Sequence, residues 1–177
     1  PFAAMDPAIL ATQASARVGT TTPDGWALRR LERIDLVAAT YEAEDGSGRA
    51  ATVRALHAPL AQRPDATLAF GATARLTSEV EHEDAVRLVT TGTLAEGQPY
   101  VVLAPYPGET VAELVARRPG RVPPGEALRI VHDVLAVLEA AHAAGVVHGA
   151  LGPDQLVLTD CGAMKILGFG AGPLLGA

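Results

Sequence analysis

The pattern of apolar and polar positions in the first half of the chain predicts three β-strands followed by a helix. Extended segments rich in apolar and β-branched residues cover 26–34, 36–43 and 50–56, and the turn formers Asp45-Gly46-Ser47-Gly48 separate the second from the third. A helix is predicted over 66–76. Consecutive strands joined by short turns form an antiparallel meander, so the pattern favours an α+β fold.

The second half of the chain contains its strongest helical pattern, over residues 126–144. Apolar residues recur there at helical spacing in two rows, which indicates a centrally buried helix that ends at Gly145. The first row is Leu128, Val131, Leu135 and Leu138, and the second is Ile130, Val134, Val137 and Ala141. Two short apolar segments, 156–158 and 164–167, then flank a turn and predict a β-hairpin.

The first 25 residues are interpreted as an N-terminal arm or linker. Asp6 followed by Pro7 is a helix-start signal, which allows a short helix over 8–17; a flexible arm is the equally weighted alternative. Residues 19–25 have the composition of a linker.

Composition excludes several classes of function. The 177 residues carry a net charge of -6, which argues against a nucleic-acid or anionic-membrane surface. Cys161 is the only cysteine, so neither a disulfide framework nor a thiolate metal cluster is expected, and a cytoplasmic location fits. No apolar run approaches the roughly 18 residues that suggest a membrane span, so no membrane insertion is expected.

Three motifs carry a family resemblance. HGALGPDQLVL, from His148 to Leu158, and MKILGFG, from Met164 to Gly170, resemble the catalytic loop H-R-D-L-x-x-x-N and the D-F-G triplet of protein kinases. The segment Ala51-Thr52-Val53-Arg54 resembles the V-A-I-K strand of the same family. The chain therefore resembles the bacterial Ser/Thr protein kinases.

The resemblance implies a fold and a division of the chain. Residues 26–104 would form a kinase-like N-lobe, a five-stranded antiparallel sheet with one helix, whose fourth strand is expected at 85–91. Ala104, Pro105 and Tyr106 would form the hinge. Residues 105–177 would form the hinge and a partial, mainly helical C-lobe.

The resemblance also implies a loss of chemistry, because the family's functional positions hold other residues. Proton-accepting, metal-binding and phosphate-pairing side chains of the family are replaced at Arg54, Ala150, Gly152, Gln155 and Gly168. No glycine remains in 33–39, where the family has its phosphate loop. Alanine and glycine carry no oxygen for a proton or a hard cation. The prediction is a pseudokinase that is not an enzyme, with no catalytic residue, metal or cofactor.

A protein-protein interaction or scaffolding role in signalling is the expected function. A whole kinase domain would continue beyond residue 177, so one side of the helix over 126–144 is expected to lack its cover and to bind a partner or a second copy. The predicted interaction residues are Ile130, Val134, Leu135, Val137 and Ala141. The alternative is ATP held as a structural ligand, with residual hinge contacts at Ala104 and Tyr106. A third hypothesis is a residual enzyme that uses Asp154 or Asp160 as a relocated acid.

Overall fold

The computed structural model of the protein describes residues 6–118 and 122–170. The chain divides into two compact units. Among the described residues the first unit comprises 6–71 and 88–105, and the second comprises 72–87 and 106–170.

The first unit contains a five-stranded antiparallel sheet in the order β1-β2-β3-β5-β4. Its first three strands form the predicted meander, and β5 adds to the free edge of β3. The strands are β1 (Ala27–Ile34), β2 (Ala38–Glu44), β3 (Ala50–Leu56), β4 (Leu88–Thr93) and β5 (Pro99–Leu103). The five-stranded sheet is confirmed. Its strand β4 begins at Leu88, three residues later than the predicted start at residue 85.

A helix at the N-terminus belongs to this first unit and is not a separate arm. Helix α1 (Pro7–Ala16) starts where the Asp6 carboxylate accepts a hydrogen bond from the Ala8 amide. Leu10 and Ala14 are buried, and the Tyr41 hydroxyl in β2 donates to the carbonyl of Ala14 at 3.0 Å. The alternative of a flexible arm over residues 8–16 is therefore wrong, because these contacts bind the helix to the sheet.

The core of the first unit lies on one face of the sheet. Tyr41, Val53 and Val102 come from three neighbouring strands, and none has more than a trace of exposed surface. Two more helices complete the described N-terminal half: the short α2 (Ala58–Ala61), which the sequence pattern does not predict, and α3 (Pro64–Glu79). Helix α3 is longer than the predicted 66–76 and spans the division between the units.

The second unit combines the C-terminal part of α3 and two further helices with a small three-stranded sheet in the order β6-β7-β8. Its elements are β6 (Gly108–Thr110), α4 (Val111–Arg117), α5 (Pro124–Ala143), β7 (Leu156–Thr159) and β8 (Met164–Ile166). The β7-β8 pair is the predicted hairpin. Gly108 is required in β6, because a side chain there would collide with the Leu158 carbonyl of β7.

Helix α5 shows which of its two apolar rows lies inside. Val137 and Ala141 have no exposed surface, and Ile130 and Val134 are 7% exposed, all within a core with β8. In the other row, Leu128, Val131 and Leu135 are 70%, 53% and 59% exposed. Four of the five predicted interaction residues are therefore core residues, and only Leu135 can meet a partner. The error arose because helical spacing identifies two rows without showing which one the hairpin covers.

Candidate functional site

The turn between β1 and β2 lies where the family has its phosphate loop, and one aspartate organises it. The Asp35 carboxylate oxygen Oδ1 accepts hydrogen bonds from the amides of Val37 and Ala38, both at 2.8 Å. The Asp35 amide donates to the Ala38 carbonyl at 3.0 Å. Short polar side chains favour such turns because they satisfy backbone donors locally. The turn is therefore held closed by its own side chain.

The second carboxylate oxygen of Asp35 binds Arg54, the residue at the strand-lysine position. Arg54 Nη2 lies 2.5 Å from Asp35 Oδ2, and the two side chains are 12% and 25% exposed. β3 is a central strand between β2 and β5, which places Arg54 opposite Thr40 and Val101. An ion pair so little exposed is screened far less by solvent than a surface pair.

His57 closes the same cluster from the end of β3. Its Nε2 donates to the Asp35 carbonyl at 2.8 Å, and its backbone amide donates to the Val37 carbonyl at 3.0 Å. Burial lowers the pKa of His57, and neighbouring Asp35 only partly opposes that shift. For Asp35, burial raises the pKa, but the charge of Arg54 and the Ala38 and Val37 amides together outweigh burial and lower it. At neutral pH the cluster holds a charged Asp35-Arg54 pair beside a neutral imidazole.

The loop that resembles the catalytic loop is held to the triplet by one histidine. His148 is 3% exposed, and its Nε2 donates to the Leu167 carbonyl at 2.7 Å. Its Nδ1 accepts from the Ala150 amide at 3.3 Å, and the Gly170 amide donates to the His148 carbonyl at 2.9 Å. Burial lowers the pKa of His148, so the ring is neutral and both nitrogens are used.

Phe169 packs beneath this histidine. The two rings lie 4.9 Å apart between centroids and are tilted by 54°, within the range for favourable aromatic contacts. Phe169 has no exposed surface, and Gly170 has a φ of +75° with Leu76 so close that a Cβ would lie 2.5 Å from Leu76 Cδ1. The apolar part of the triplet is thus built into the core of the second unit.

The positions that hold catalytic and metal-binding side chains in the family hold few polar groups in this chain. Ala150 is half-buried, and Gly168 is buried with a φ of +78°. Gln155 is half-buried and donates from Nε2 to Oδ2 of the exposed Asp154 at 2.9 Å. A side chain at Gly152 would collide with Asp154 Oδ1 unless that carboxylate moved. Asp154 is thus the one carboxylate that the loop itself presents.

These residues do not fit the pair of magnesium ions that the kinase fold implies. Magnesium requires several oxygen ligands in near-octahedral geometry, and neither Gly168 nor Ala150 has a side-chain oxygen. Across residues 6–118 and 122–170, no group of three or more His, Cys, Asp or Glu side chains could hold a metal. The side chains at Gly168 and Ala150 therefore cannot supply ligands to such ions.

The hinge residues lie at the division between the two units. Leu103 is the last residue of β5 and is buried, Ala104 is half-buried, and the Tyr106 side chain is buried. The predicted adenine contacts at Ala104 and Tyr106 stay predictions. In the part of the chain that the structure describes, no helix is long and apolar enough to cross a bilayer.

Curated relatives identify the family. The chain is 31% identical over 161 residues to the serine/threonine-protein kinase PknA of Mycobacterium tuberculosis, an alignment that covers 88% of this chain and 37% of PknA. It is 30% identical over 125 residues to PknB of Mycobacterium leprae, covering 69% of this chain and 20% of PknB. The chain belongs to the bacterial Ser/Thr protein kinase-like family. It spans only a fifth to about two fifths of these relatives, and no family model matches it.

Solved structures agree on the fold of this kinase-like chain. A double mutant of the Mycobacterium tuberculosis PknI kinase domain matches with a TM-score of 0.75 and 22% identity, over 86% of this chain and 61% of that one. The apo form of PpkA-294 matches with a TM-score of 0.74 and 14% identity, over 84% and 59% of the two chains. The predicted α+β, kinase-like fold with a partial C-lobe is confirmed.

The relatives overturn one prediction. The sequence motifs indicated that the chain is not an enzyme, yet the relatives are named as serine/threonine-protein kinases and point toward a kinase enzyme. The prediction extended the loss of single side chains, such as those at Ala150 and Gly168, to the activity of a whole family member. The prediction that the chain is not an enzyme is therefore wrong.

The Asp35-Arg54 pair is the feature of the site that sequence reasoning missed. The motifs mark Arg54 as the residue at the strand-lysine position, but they do not indicate the carboxylate that binds it. No local signal indicated the pair, because Asp35 lies in the β1-β2 turn and Arg54 lies 19 residues later, in β3. The register Ala38 to Leu56 brings that turn beside the end of β3.

Proposed function

We propose that this kinase-like chain acts in a bacterial signalling protein by binding other protein chains, and that its first partner is a second copy of itself. The observation that carries the proposal is the outer row of helix α5. Leu128, Val131 and Leu135 are spaced by three and four residues and are all more than half exposed. Large apolar side chains grouped on one face of a helix are typical of protein interfaces.

The state of the phosphate-loop region supports the same proposal. Arg54, the cation at the strand-lysine position, is engaged by Asp35 within the chain. A cation that already holds an internal carboxylate has less to offer the phosphates of a nucleotide. Binding through a surface then needs no rearrangement of the β1-β2 turn. A cytoplasmic location is part of this proposal and fits the single cysteine, Cys161.

Solution mass measured by light scattering over a concentration series tests the proposal. The wild type is expected to form a dimer, and Leu135→Glu and Leu128→Glu are expected to be folded monomers because a charge in an apolar contact is costly. The matched control is Leu68→Glu on α3, which replaces a leucine that is 74% exposed outside α5 and leaves the dimer intact. A wild type that stays monomeric at every concentration contradicts self-association.

ATP binding is the second candidate function, and the names of the relatives favour it. PknA and PknB are named as kinases, so a nucleotide is the ligand that their names suggest for this fold. Thermal unfolding with and without ATP tests it, since a ligand that binds only the folded state raises the midpoint. The same samples are assayed for phosphoryl transfer with magnesium and manganese. Asp154→Ala, compared with the control Asp160→Ala, asks whether the loop carboxylate takes part in any transfer.

A further inference from the structure

Helix α1 meets the rest of the first unit through three residues at helical spacing. Leu10 and Ala14 are buried, and the Arg17 guanidinium donates to the side-chain oxygen of Gln98, in the turn between β4 and β5. Positions i, i+4 and i+7 lie on the same side of a helix. Ile9, by contrast, is 55% exposed. The docked side of α1 is therefore defined by a leucine, an alanine and an arginine in the order Leu-x-x-x-Ala-x-x-Arg.

The surface that receives α1 combines an apolar centre with two polar groups. Ala14 of the helix belongs to the same core as Trp26 and Tyr41. The Tyr41 hydroxyl donates to the Ala14 carbonyl at 3.0 Å, close to the end of the helix. Gln98 is only 5% exposed, so the side chain that accepts from Arg17 is itself part of the interior. We call Trp26, Tyr41 and Gln98 the α1 docking surface.

The loop that follows α1 is held by contacts of its own. The Gly19 amide donates to the Leu28 carbonyl and the Leu28 amide donates to the Thr20 carbonyl, each at 2.8 Å. The Tyr100 hydroxyl of β5 donates to the Asp24 carboxylate. None of these bonds uses a residue of α1, so the helix can leave its docking surface while the loop stays in place. With ten residues, α1 is also shorter than the roughly 12–15 that an isolated helix needs for even marginal stability.

We propose that the α1 docking surface binds a helix of a partner protein, and that α1 occupies this surface when the partner is absent. The partner helix carries the pattern of α1, because a large aliphatic residue, a small residue and an arginine are the side chains that the surface already accommodates. As a tethered competitor, α1 acts at an effective concentration of about millimolar, so a weakly binding helix cannot replace it. The proposal is independent of self-association through α5, which belongs to the second unit.

A synthetic peptide of residues 6–18 with a fluorescent label is the probe, and fluorescence anisotropy measures its binding to the whole chain. Leu10→Glu places a charge at a buried position of α1 and should release the helix. This variant should bind the peptide at least about tenfold more tightly than the wild type, in which α1 competes. Ile9→Glu is the matched control. It should behave like the wild type, because Ile9 is mostly exposed.

Two further readouts locate the peptide on the α1 docking surface. Trp26 is the only tryptophan and is 3% exposed, so release of α1 in Leu10→Glu should shift its emission to longer wavelength, and the peptide should reverse that shift. A peptide with Arg17→Gln should bind Leu10→Glu several-fold more weakly than the original peptide. Adding Gln98→Ala to the chain should remove the difference between the two peptides, because their contrast depends on the Arg17-Gln98 contact.

Several outcomes would overturn the proposal. Equal peptide affinity for Leu10→Glu and the wild type would do so, as would a difference between the two peptides that persists after Gln98→Ala. A dimer that survives Leu135→Glu and is lost when Leu10→Glu is added would assign the surface to α1 of a second copy instead.

A second variant covers the case in which Leu10→Glu does not fold. Leu10→Ala removes the same buried side chain without adding a charge, and it carries the same expectation. Folding of either variant only in the presence of the peptide supports the proposal. Failure of both to fold with the peptide as well as without it counts against it.

Discussion

The β1-β2 turn and the loop around His148 are the two regions where kinase chemistry resides in the family, and this chain treats them differently. Around Asp35 and Arg54, polar groups are paired with one another inside a single unit. Around His148 and Phe169, two positions that are polar in the family hold Ala150 and Gly168 instead. Aromatic and backbone contacts hold the loop there. One region is organised by charge and the other by packing, so their responses to mutation should differ in size and in salt dependence.

The largest effect is expected where packing dominates. Phe169→Ala removes a side chain with no exposed surface from the core of the second unit, which should lower the free energy of unfolding by about 3–5 kcal/mol. Urea unfolding followed by circular dichroism measures this loss. Leu68→Ala, at a leucine that is 74% exposed, serves as the control and should change stability by less than about 0.5 kcal/mol. A loss below about 1 kcal/mol for Phe169→Ala would contradict the packed role of the triplet.

A smaller effect, sensitive to salt, is expected where charge dominates. Arg54→Ala leaves the Asp35 carboxylate without its cation, and we expect a loss of about 1–2 kcal/mol, less than for a fully buried pair because both groups are partly exposed. A double-mutant cycle with Asp35→Ala isolates the coupling between the two residues. Coupling near zero would show that the pair does not stabilise the turn. The corresponding cycle for Asp45 and Arg49 should give a weaker coupling, since Arg49 is mostly exposed.

Replacing Gly168 with aspartate, the residue that the family has in the triplet, should not stabilise the chain. Gly168→Asp places a side chain at a φ of +78°, where residues other than glycine are strained, so we expect a loss of about 1 kcal/mol. Chemical denaturation measures it. Gly162→Asp, at a φ of +85° in an open turn with no atom near the added Cβ, is the control for backbone strain alone. A gain in stability for Gly168→Asp would show that this backbone conformation suits an aspartate.

The pH dependence should reveal both regions, because each contains one buried histidine of lowered pKa. Burial lowers the pKa of His57 and of His148 below the ordinary 6.5, so near that value the unfolded chain binds more protons than the folded one. The stabilisation is complete above pH 6.5 and is lost as the pH falls below it. Unfolding midpoints at pH 7.5 and 5.5 measure the effect. His57→Gln and His148→Gln should each reduce the difference, and no change in either variant would contradict the assignment.

Helices and strands whose pattern lies within a short segment could be predicted from the sequence. Features that depend on tertiary packing could not. The strand β3 and the β7-β8 hairpin follow from alternation and turn residues, because those signals lie within a few neighbouring positions. The exposed row of α5 did not follow, since Leu135 and Val137 are equally apolar and only the placement of β8 distinguishes them. Helix α2 is a single turn, too short for its periodicity to be detected.

The candidate site likewise contains features that could be predicted from the sequence and one that could not. The identities of Ala150, Gln155 and Gly168 could be read from motif spacing, and the amide of Leu167, next to Gly168, donates to the Gln155 carbonyl at 2.9 Å. The Asp35-Arg54 pair could not be read in this way, because its partners are 19 residues apart and meet only through strand register. The error about enzymatic activity has a related origin. The motif positions show only which side chains this chain has, whereas the names of the relatives give the activity of the family.

The order of strands in the first unit has a consequence for how the chain folds. Pairings β1-β2 and β2-β3 join neighbours in sequence, whereas β3 pairs with β5 through Val53 and Val102, across the whole of α3. Closing that long loop costs chain entropy before the contacts between β3 and β5 can stabilise the sheet. The meander should therefore form early in refolding, and the arrival of β5 should limit the rate. Val102→Ala should then slow refolding more than Ala43→Gly in stopped-flow experiments, and the opposite order would place the kinetic barrier within the meander.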